Sequence, residues 1–423
     1  MAKFDTMFSK RPISASHHSR SPVQLAHRPD YVISVLVLCL IAIGMVMIYS
    51  TGWIAILKQT GGSNDTNSLF YTQLVTFAIG ILLWYSASKV HYSVWQKYAA
   101  YIFYGSAVLM FLVLIPGIGV QVNGASRWVR FGPLNFQPVE FFKLGIVLYM
   151  AAWVEKNRGH LSSLFEGLVP FLVIISLTAF LVVLLQKDMG SAMVIVAACL
   201  SIYFVSGVRL PIFAAGVGIL TSLSGLLIVF FPYRLSRFLT FLNQANDTSG
   251  SAYHINQALI ALGSGGIFGR GLGKSLQAYG YLPESTNDSI FAIIGEEFGL
   301  LGCLVVVSLY GGLLYRGYRV SRSAPDNFAK LVAVGITAWI GFQAVFNVSA
   351  MIGLIPLTGI TLPFVSYGGT SLIALLIGIG ILQNISKFTH KEVRSEDRSV
   401  GRGDRRTYRA DFGGSRATAK TRT

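Results

Sequence analysis

The sequence predicts an all-α membrane protein: a polytopic bundle of about ten transmembrane helices, with one long extracytoplasmic loop between helices 7 and 8. Three observations predict it. Hydrophobic residues fill 53% of the 423 positions and charged residues only 12%, against about 25% charged in a soluble domain. Apolar runs long enough to cross a bilayer, which takes about 20 residues, recur along the chain. Most Lys and Arg fall in the two tails and in connections on the tails' side, the bias that orients spans in a membrane.

Ten runs qualify, at about 31–57, 70–88, 98–116, 138–154, 167–186, 190–206, 210–231, 290–315, 329–352 and 366–386. The first thirty residues are too polar for a signal peptide. The run that follows is too long for a signal core and lacks an A-x-A cleavage site, so it reads as a retained first span. An even number of spans puts residues 1–30 and the tail 387–423 on one side, and the charge bias makes that side cytoplasmic. The tails carry much of the net charge of +16. Beside membrane spans, such basic segments read as topology signals or contacts with anionic lipid rather than as nucleic-acid binders. The C-terminal tail is rich in Arg, Gly, Ser and Thr and reads as disordered.

Composition excludes several functions. Cys39, Cys199 and Cys303 stand far apart in apolar runs, and no CxxC or HExxH is present, so neither a disulfide framework nor a zinc site is indicated. "GRGLGKS" (269–275) ends like a nucleotide P-loop, but Phe268 stands where the motif needs glycine and no strand precedes it. Its glycines predict tight turns whose N–H groups, with Arg270 and Lys274, face an anion, or else simple loop flexibility.

The longest connection, about 232–289, faces outward in this topology. It is too apolar for disorder, and "HINQALIAL" within it predicts a short interfacial or plugging helix. Loops of this length are usually functional when ordered, which places the expected site on the outer side. "YLPESTNDSIFAIIGEEFG" (281–299) closes that loop. Asp288 precedes an apolar run and fits two roles. One is a helix N-cap; the other is a general base whose carboxylate the helix dipole keeps ionised while desolvation raises its pKa. Glu296 lies about 12 Å further along the helix, where an acid must be paired or line water. Glu297 points the other way and needs a structural partner.

Other polar residues interrupt the spans near the same side. Glu140 and Lys143 in "FQPVEFFKL" sit three apart on one helix face and can pair. Asp188 occupies a very short link between two spans, and Arg127 and Arg130 lie in an outer loop. Each also fits a local salt bridge or interfacial anchor. Their convergence predicts one polar cavity inside the bundle. The uncharged stretch 347–372 breaks helices with proline and glycine, and non-helical backbone at membrane depth is tolerated where it lines a cavity.

With these residues in view, the chain resembles the SEDS (shape, elongation, division and sporulation) family of peptidoglycan glycosyltransferases. The resemblance spans nearly all ten runs. It is carried by "NGASRW", "FQPVEFFKL", "LQKDMGSA", "QALIALGSGGIFGRGLG", "YLPESTNDSIFAIIGEEFG" and "GLIPLTGITLPFVSYGGTSL". "GYLPE" and "IIGEE" look more like the division branch, the FtsW type, than the elongation branch, the RodA type. The resemblance implies polymerisation of lipid II into glycan strands at the outer face of the cytoplasmic (inner) membrane, with inversion, for septal wall synthesis. It implies that Asp288 is catalytic. It implies that Glu140, Lys143 and Asp188 line the substrate cavity, and Glu296 is grouped with them. Arg127, Arg130, Arg270 and Lys274 are candidate cations for the diphosphate leaving group, as is a divalent cation (Mg or Mn); no metal ligands are indicated. Implied partners are lipid II, undecaprenyl-diphosphate-linked glycan, a class B penicillin-binding transpeptidase, other divisome membrane proteins and membrane lipids, with no nucleic acid. The chain departs from the family pattern in having "TNDS" for the usual "HTDF", Val139 for Ser and Lys187 for Pro. A lipid II flippase, an elongation-type polymerase and a non-catalytic septal scaffold are the alternatives.

Overall fold

A computed structural model describes residues 27–60, 68–115, 117, 119–122, 125–131, 134–230, 232–242 and 250–389. The basic tails expected at 1–30 and 387–423 lie almost wholly outside the described residues. The helices are α1 (Tyr31–Thr60), α2 (Ser68–Lys89), α3 (Tyr92–Phe111), α4 (Pro138–Lys156), α5 (Val169–Leu185), α6 (Met189–Val205), α7 (Leu210–Phe230), α8 (Pro232–Leu242), α9 (Gly250–Ser264), α10 (Ile290–Arg322), α11 (Asn327–Met351) and α12 (Gly369–Ser386). Ten of these match the ten predicted runs; α8 and α9 lie within the long loop.

Among the described residues, eight helices are long and apolar enough to cross a membrane, and α6 is a shorter apolar helix. α4 differs in carrying charge at both ends, Glu140 and Lys143 near its start and Glu155 and Lys156 near its finish. The protein is a polytopic helical membrane protein. Its outward faces carry large apolar side chains such as Leu82, Tyr101, Leu177 and Val229, a belt that only lipid would cover favourably. α12 and α11 lie mostly inside the bundle and α7 at its margin.

With the hydrophobic effect weak between helices in lipid, packing and polar contacts hold them together. α12 lies along α2, where Trp84 Nε1 donates to Gln383 Oε1 at 3.0 Å and Asn384 Nδ2 donates to the Ser88 carbonyl at 2.9 Å. A Cβ at Gly380 would stand 2.6 Å from the Trp84 carbonyl oxygen, so glycine sets how closely these helices approach. The first and last described residues lie on one side: the His27 N–H donates to the Lys387 carbonyl, and Arg316 pairs with Asp30 at 2.5 Å. Burial and the neighbouring Lys89 hold the Lys387 ammonium below the usual lysine range.

One element departs from the all-helical expectation. The segment before α4 is a three-stranded antiparallel sheet of β1 (Gly119–Val122), β2 (Ala125–Phe131) and β3 (Leu134–Phe136), in the order β1-β2-β3. Val122 pairs with Ala125 across a connection whose sequence is Asn-Gly, a strong hairpin signal. Val129 is buried beneath the sheet. "SRWVRF" has the β-branched and aromatic residues of a strand but no strict polar–apolar alternation, and its two arginines read more readily as loop.

α10 runs for 33 residues, about 50 Å, longer than a bilayer's hydrocarbon core of about 30 Å. It bends at Gly299, whose φ of 67° and ψ of −163° are open essentially only to glycine. That bend positions much of the site.

Candidate active site

At the bundle end opposite His27 and Lys387, the chain from Pro283 to Ser289 closes into a compact turn. The N–H groups of Asn287 and Ser289 both donate to the Glu284 carbonyl, at 3.0 and 3.2 Å, and Glu284 has a positive φ of 50°. Asp288 sits on this turn, half-buried. It does not cap α10. Ser289 occupies the N-cap position, and its side chain does not cap either.

The turn is anchored from two sides. Asn347 on α11 donates through Nδ2 to the Asp288 carbonyl and to the Ile360 carbonyl, both at 2.7 Å. The Tyr367 N–H donates to the Thr286 carbonyl at 2.9 Å. Asn347 therefore binds the Asp288 turn to the irregular strap between α11 and α12. Gly359 of that strap lies beside the carboxylate: a Cβ there would be 3.9 Å from Asp288 Oδ2.

The same strap gathers the other predicted residues. One turn before Asn347, Gln343 donates to the Thr361 carbonyl at 3.1 Å and accepts from Lys143 Nζ at 2.9 Å. Lys143 pairs with Glu140 at 2.8 Å, both side chains buried, as the three-residue spacing predicts. Trp339 Nε1 also donates to Gln343 Oε1 at 2.9 Å, so this amide fixes the lysine, the strap and the helix together. On a further side, Gly190 of α6 packs against Ile360 and the Thr358 carbonyl. Asp188 caps α6 just before it, with Oδ1 accepting from the Ser191 N–H at 3.0 Å and Oδ2 from the Ser191 hydroxyl at 2.8 Å. Arg127 of β2 donates to the Gln186 and Lys187 carbonyls, each at 2.9 Å, and so ties the sheet to the turn carrying Asp188.

Glu296, Arg270 and Lys274 belong to a second cluster. Glu296 is fully buried, and its two oxygens accept from Ser275 Oγ at 2.5 Å, the Leu276 N–H at 3.0 Å, the Gln277 N–H at 3.2 Å and Arg270 Nη1 at 3.3 Å. Glu297 accepts from the Gly273 N–H at 3.1 Å and from Ser50 on α1 at 2.9 Å. The glycine loop does face an anion, as its N–H groups suggested, but that anion is this pair of glutamates. Glu296, expected beside Glu140, Lys143 and Asp188, instead has its oxygens turned to the loop, because that loop supplies the donors a buried carboxylate requires. Arg270 spends part of its guanidinium on Glu296, and Lys274 is exposed beside it. Arg130 pairs with Asn135 in the sheet.

The loop reaches α10 only because both partners lack side chains at the contact. A Cβ at Gly269 would stand 2.2 Å from the Glu297 carbonyl oxygen, and Gly269 has a φ of 78°. The Leu300 and Leu301 N–H groups, released where α10 bends, donate to the Gly266 and Ile267 carbonyls at 2.9 and 3.2 Å.

Three contributors escaped the sequence reading: Gln343, Asn347 and His254. The first two were visible as amides four apart in an apolar span, a spacing that puts them on one helix face. Among the described residues no group of three or more His, Cys, Asp or Glu side chains is gathered to hold a metal.

A family model for cell cycle proteins of the FtsW/RodA/SpoVE type matches residues 30–391. The chain belongs to this family. It is 38% identical to Stage V sporulation protein E of Bacillus subtilis (strain 168), over 85% of this chain and 98% of the relative. It is 37% identical to a probable peptidoglycan glycosyltransferase FtsW of Trichlorobacter lovleyi, over 87% and 95%. Among solved structures, a chain of a peptidoglycan synthase complex matches with a TM-score of 0.68 and 27% identity, covering 86% of this chain and 99% of that one. The rod shape determining protein RodA of Thermus thermophilus matches with a TM-score of 0.60 and 28% identity, over 86% and 98%. In the FtsW/RodA/SpoVE frame the six motifs of the sequence fall inside the matched residues, and every described candidate residue lies within them.

Proposed function

We propose that this protein is a peptidoglycan glycosyltransferase that polymerises lipid II into glycan strands at the outer face of the cytoplasmic membrane, serving septal wall synthesis. The observation that carries the proposal is the convergence of Asp288, Asp188 and the Glu140–Lys143 pair around the strap at 358–361. The positive-inside bias supports cytoplasmic tails and an outward-facing site.

The reaction joins a sugar 4-hydroxyl to the anomeric carbon of a second, lipid-linked sugar. The Asp288 carboxylate takes the hydroxyl proton, a step typically worth 10²–10⁴ in rate. The oxygen then forms its bond to the anomeric carbon as the bond to the diphosphate oxygen breaks, and the diphosphate leaves with the electron pair. One displacement inverts the anomeric centre. Lys143, Arg127 and the exposed Lys274 are the cations this chain offers to the diphosphates of the two lipids, with electrostatic stabilisation of the departing charge as the largest expected contribution. The prenyl tails lie in the hydrocarbon between spans, which is why sugar chemistry is housed in a membrane bundle. A class B penicillin-binding transpeptidase is the partner expected to crosslink the product. One similar solved chain belongs to a peptidoglycan synthase complex, in support of that pairing.

The test is purified full-length protein in detergent supplied with lipid II, with the product resolved by size. Polymer from wild type and none from Asp288→Ala, at an unchanged melting temperature, is the expected result. Full activity in the variant removes Asp288 from the mechanism. Movement of lipid II across vesicles without polymer favours the flippase.

A further inference from the structure

The Asp288 turn has a third attachment, from a helix that sequence reading assigned no chemistry. Ser289 is fully buried, and its Oγ lies 2.6 Å from His254 Nε2 on α9 and 2.9 Å from the Pro283 carbonyl. A hydroxyl has one proton. The Pro283 carbonyl can only accept, so that proton goes to it. His254 Nε2 must then carry a proton and donate to Ser289. The arrangement runs His254 N–H to Ser289 O–H to Pro283 C=O, closing the turn from its last residue back to its first. It also spans the residue between Pro283 and Ser289 that matters most, Asp288.

We infer that His254 is a positioning residue for the reaction: by donating to Ser289 it locks the 283–289 turn and so fixes the direction of the Asp288 carboxylate. Asn347 fixes the Asp288 main chain from α11, and His254 fixes the adjoining residue from α9, so the base is held between two separate parts of the fold. Ser289 stands at the N-cap of α10 yet leaves the helix N–H groups to turn toward Pro283 and His254. A serine at an N-cap ordinarily satisfies the helix, and here that contact is given up for the turn.

The inference rests on the polymerase reading, and its test separates the two. His254→Gln keeps an N–H donor of similar reach; His254→Glu has nearly the shape of that variant but, ionised, can only accept; His254→Ala removes the contact. Each full-length variant is purified and assayed with lipid II, and amide hydrogen exchange is followed across residues 283–290. The expected result is a loss in kcat of about 10- to 100-fold for the Glu and Ala variants with little change in KM, since displacing a catalytic group by about 1 Å costs up to this much. The Gln variant is expected to return to within about twofold of wild type, and the amides of Asn287 and Ser289 should exchange faster in the Glu and Ala variants alone. A structural role for His254 without this polarity predicts that Gln and Glu behave alike, and that outcome overturns the inference. Unchanged exchange at Asn287 and Ser289 in all three variants overturns it whether or not polymer forms. No polymer from wild type counts against the polymerase reading, and the exchange measurement still decides the role of His254.

Discussion

Asp288 and Glu296 lie two helical turns apart in sequence and are held in different ways. Glu296 is held by its carboxylate: four donors converge on its two oxygens, and the glycine loop is folded around it. The turn that carries Asp288 is fixed through that residue's main chain and its neighbour. Asn347 grips its carbonyl, and His254 grips Ser289, while the carboxylate stands beside Gly359. An acid whose oxygens are saturated by fixed donors is a fastener, because any new partner must displace an existing hydrogen bond. An acid oriented through its backbone is suited to work on something that arrives. Glu296 is fully buried and Asp288 half-buried, and the direction of the restraint separates them further.

The sharpest way to break this comparison is to exchange the fates of the two acids. Asp288→Asn is expected to cut polymerisation by about 10²- to 10⁴-fold with the melting temperature in detergent nearly unchanged. A large drop in melting temperature would make Asp288 a fastener as well. Glu296→Ala is expected to do the reverse, destabilising the protein by about 3–5 kcal/mol, because it strands Arg270 and buried N–H groups; thermal unfolding by circular dichroism reads this. Asn347→Leu should lower kcat by about 10- to 100-fold, since it frees the carbonyls of Asp288 and Ile360 together, and steady-state assays against lipid II check it. Gly269→Ala should cost about 1–3 kcal/mol through its positive φ and the approach to the Glu297 carbonyl. That loss should appear in unfolding before it appears in activity, the signature of the fastening cluster.

Much of the fold was legible because a bilayer makes strong demands on sequence. A span needs a continuous apolar run, so ten runs could be counted and each became a helix. The Glu140–Lys143 pair was legible for a similar reason: three residues on a helix is a fixed geometry, and a buried charge needs a partner close by. The β-sheet was less so. Its strands are short, and the two arginines in β2 break any polar–apolar alternation around the buried Val129. Asp288 was visible as an acid at a helix start, but there N-cap and base look alike. The glycine loop's purpose was hidden, because its N–H groups announced an anion without saying that the anion lay on the same chain.

The sequence by itself determined that the chain is a helical bundle in a membrane, that the polar residues interrupting its spans lie toward one end, and that its family is the FtsW/RodA/SpoVE type. Those properties follow from local rules: hydrophobic run length, helical spacing and motif order. Only the tertiary structure decided how each acid is held. Gln343, Asn347, Gly359, Gly190 and His254 reach the site from four separate segments, and no local rule relates them. Hydrogen bonds act over about 3 Å, so the division between a fastened carboxylate and an oriented one exists only once the helices have packed.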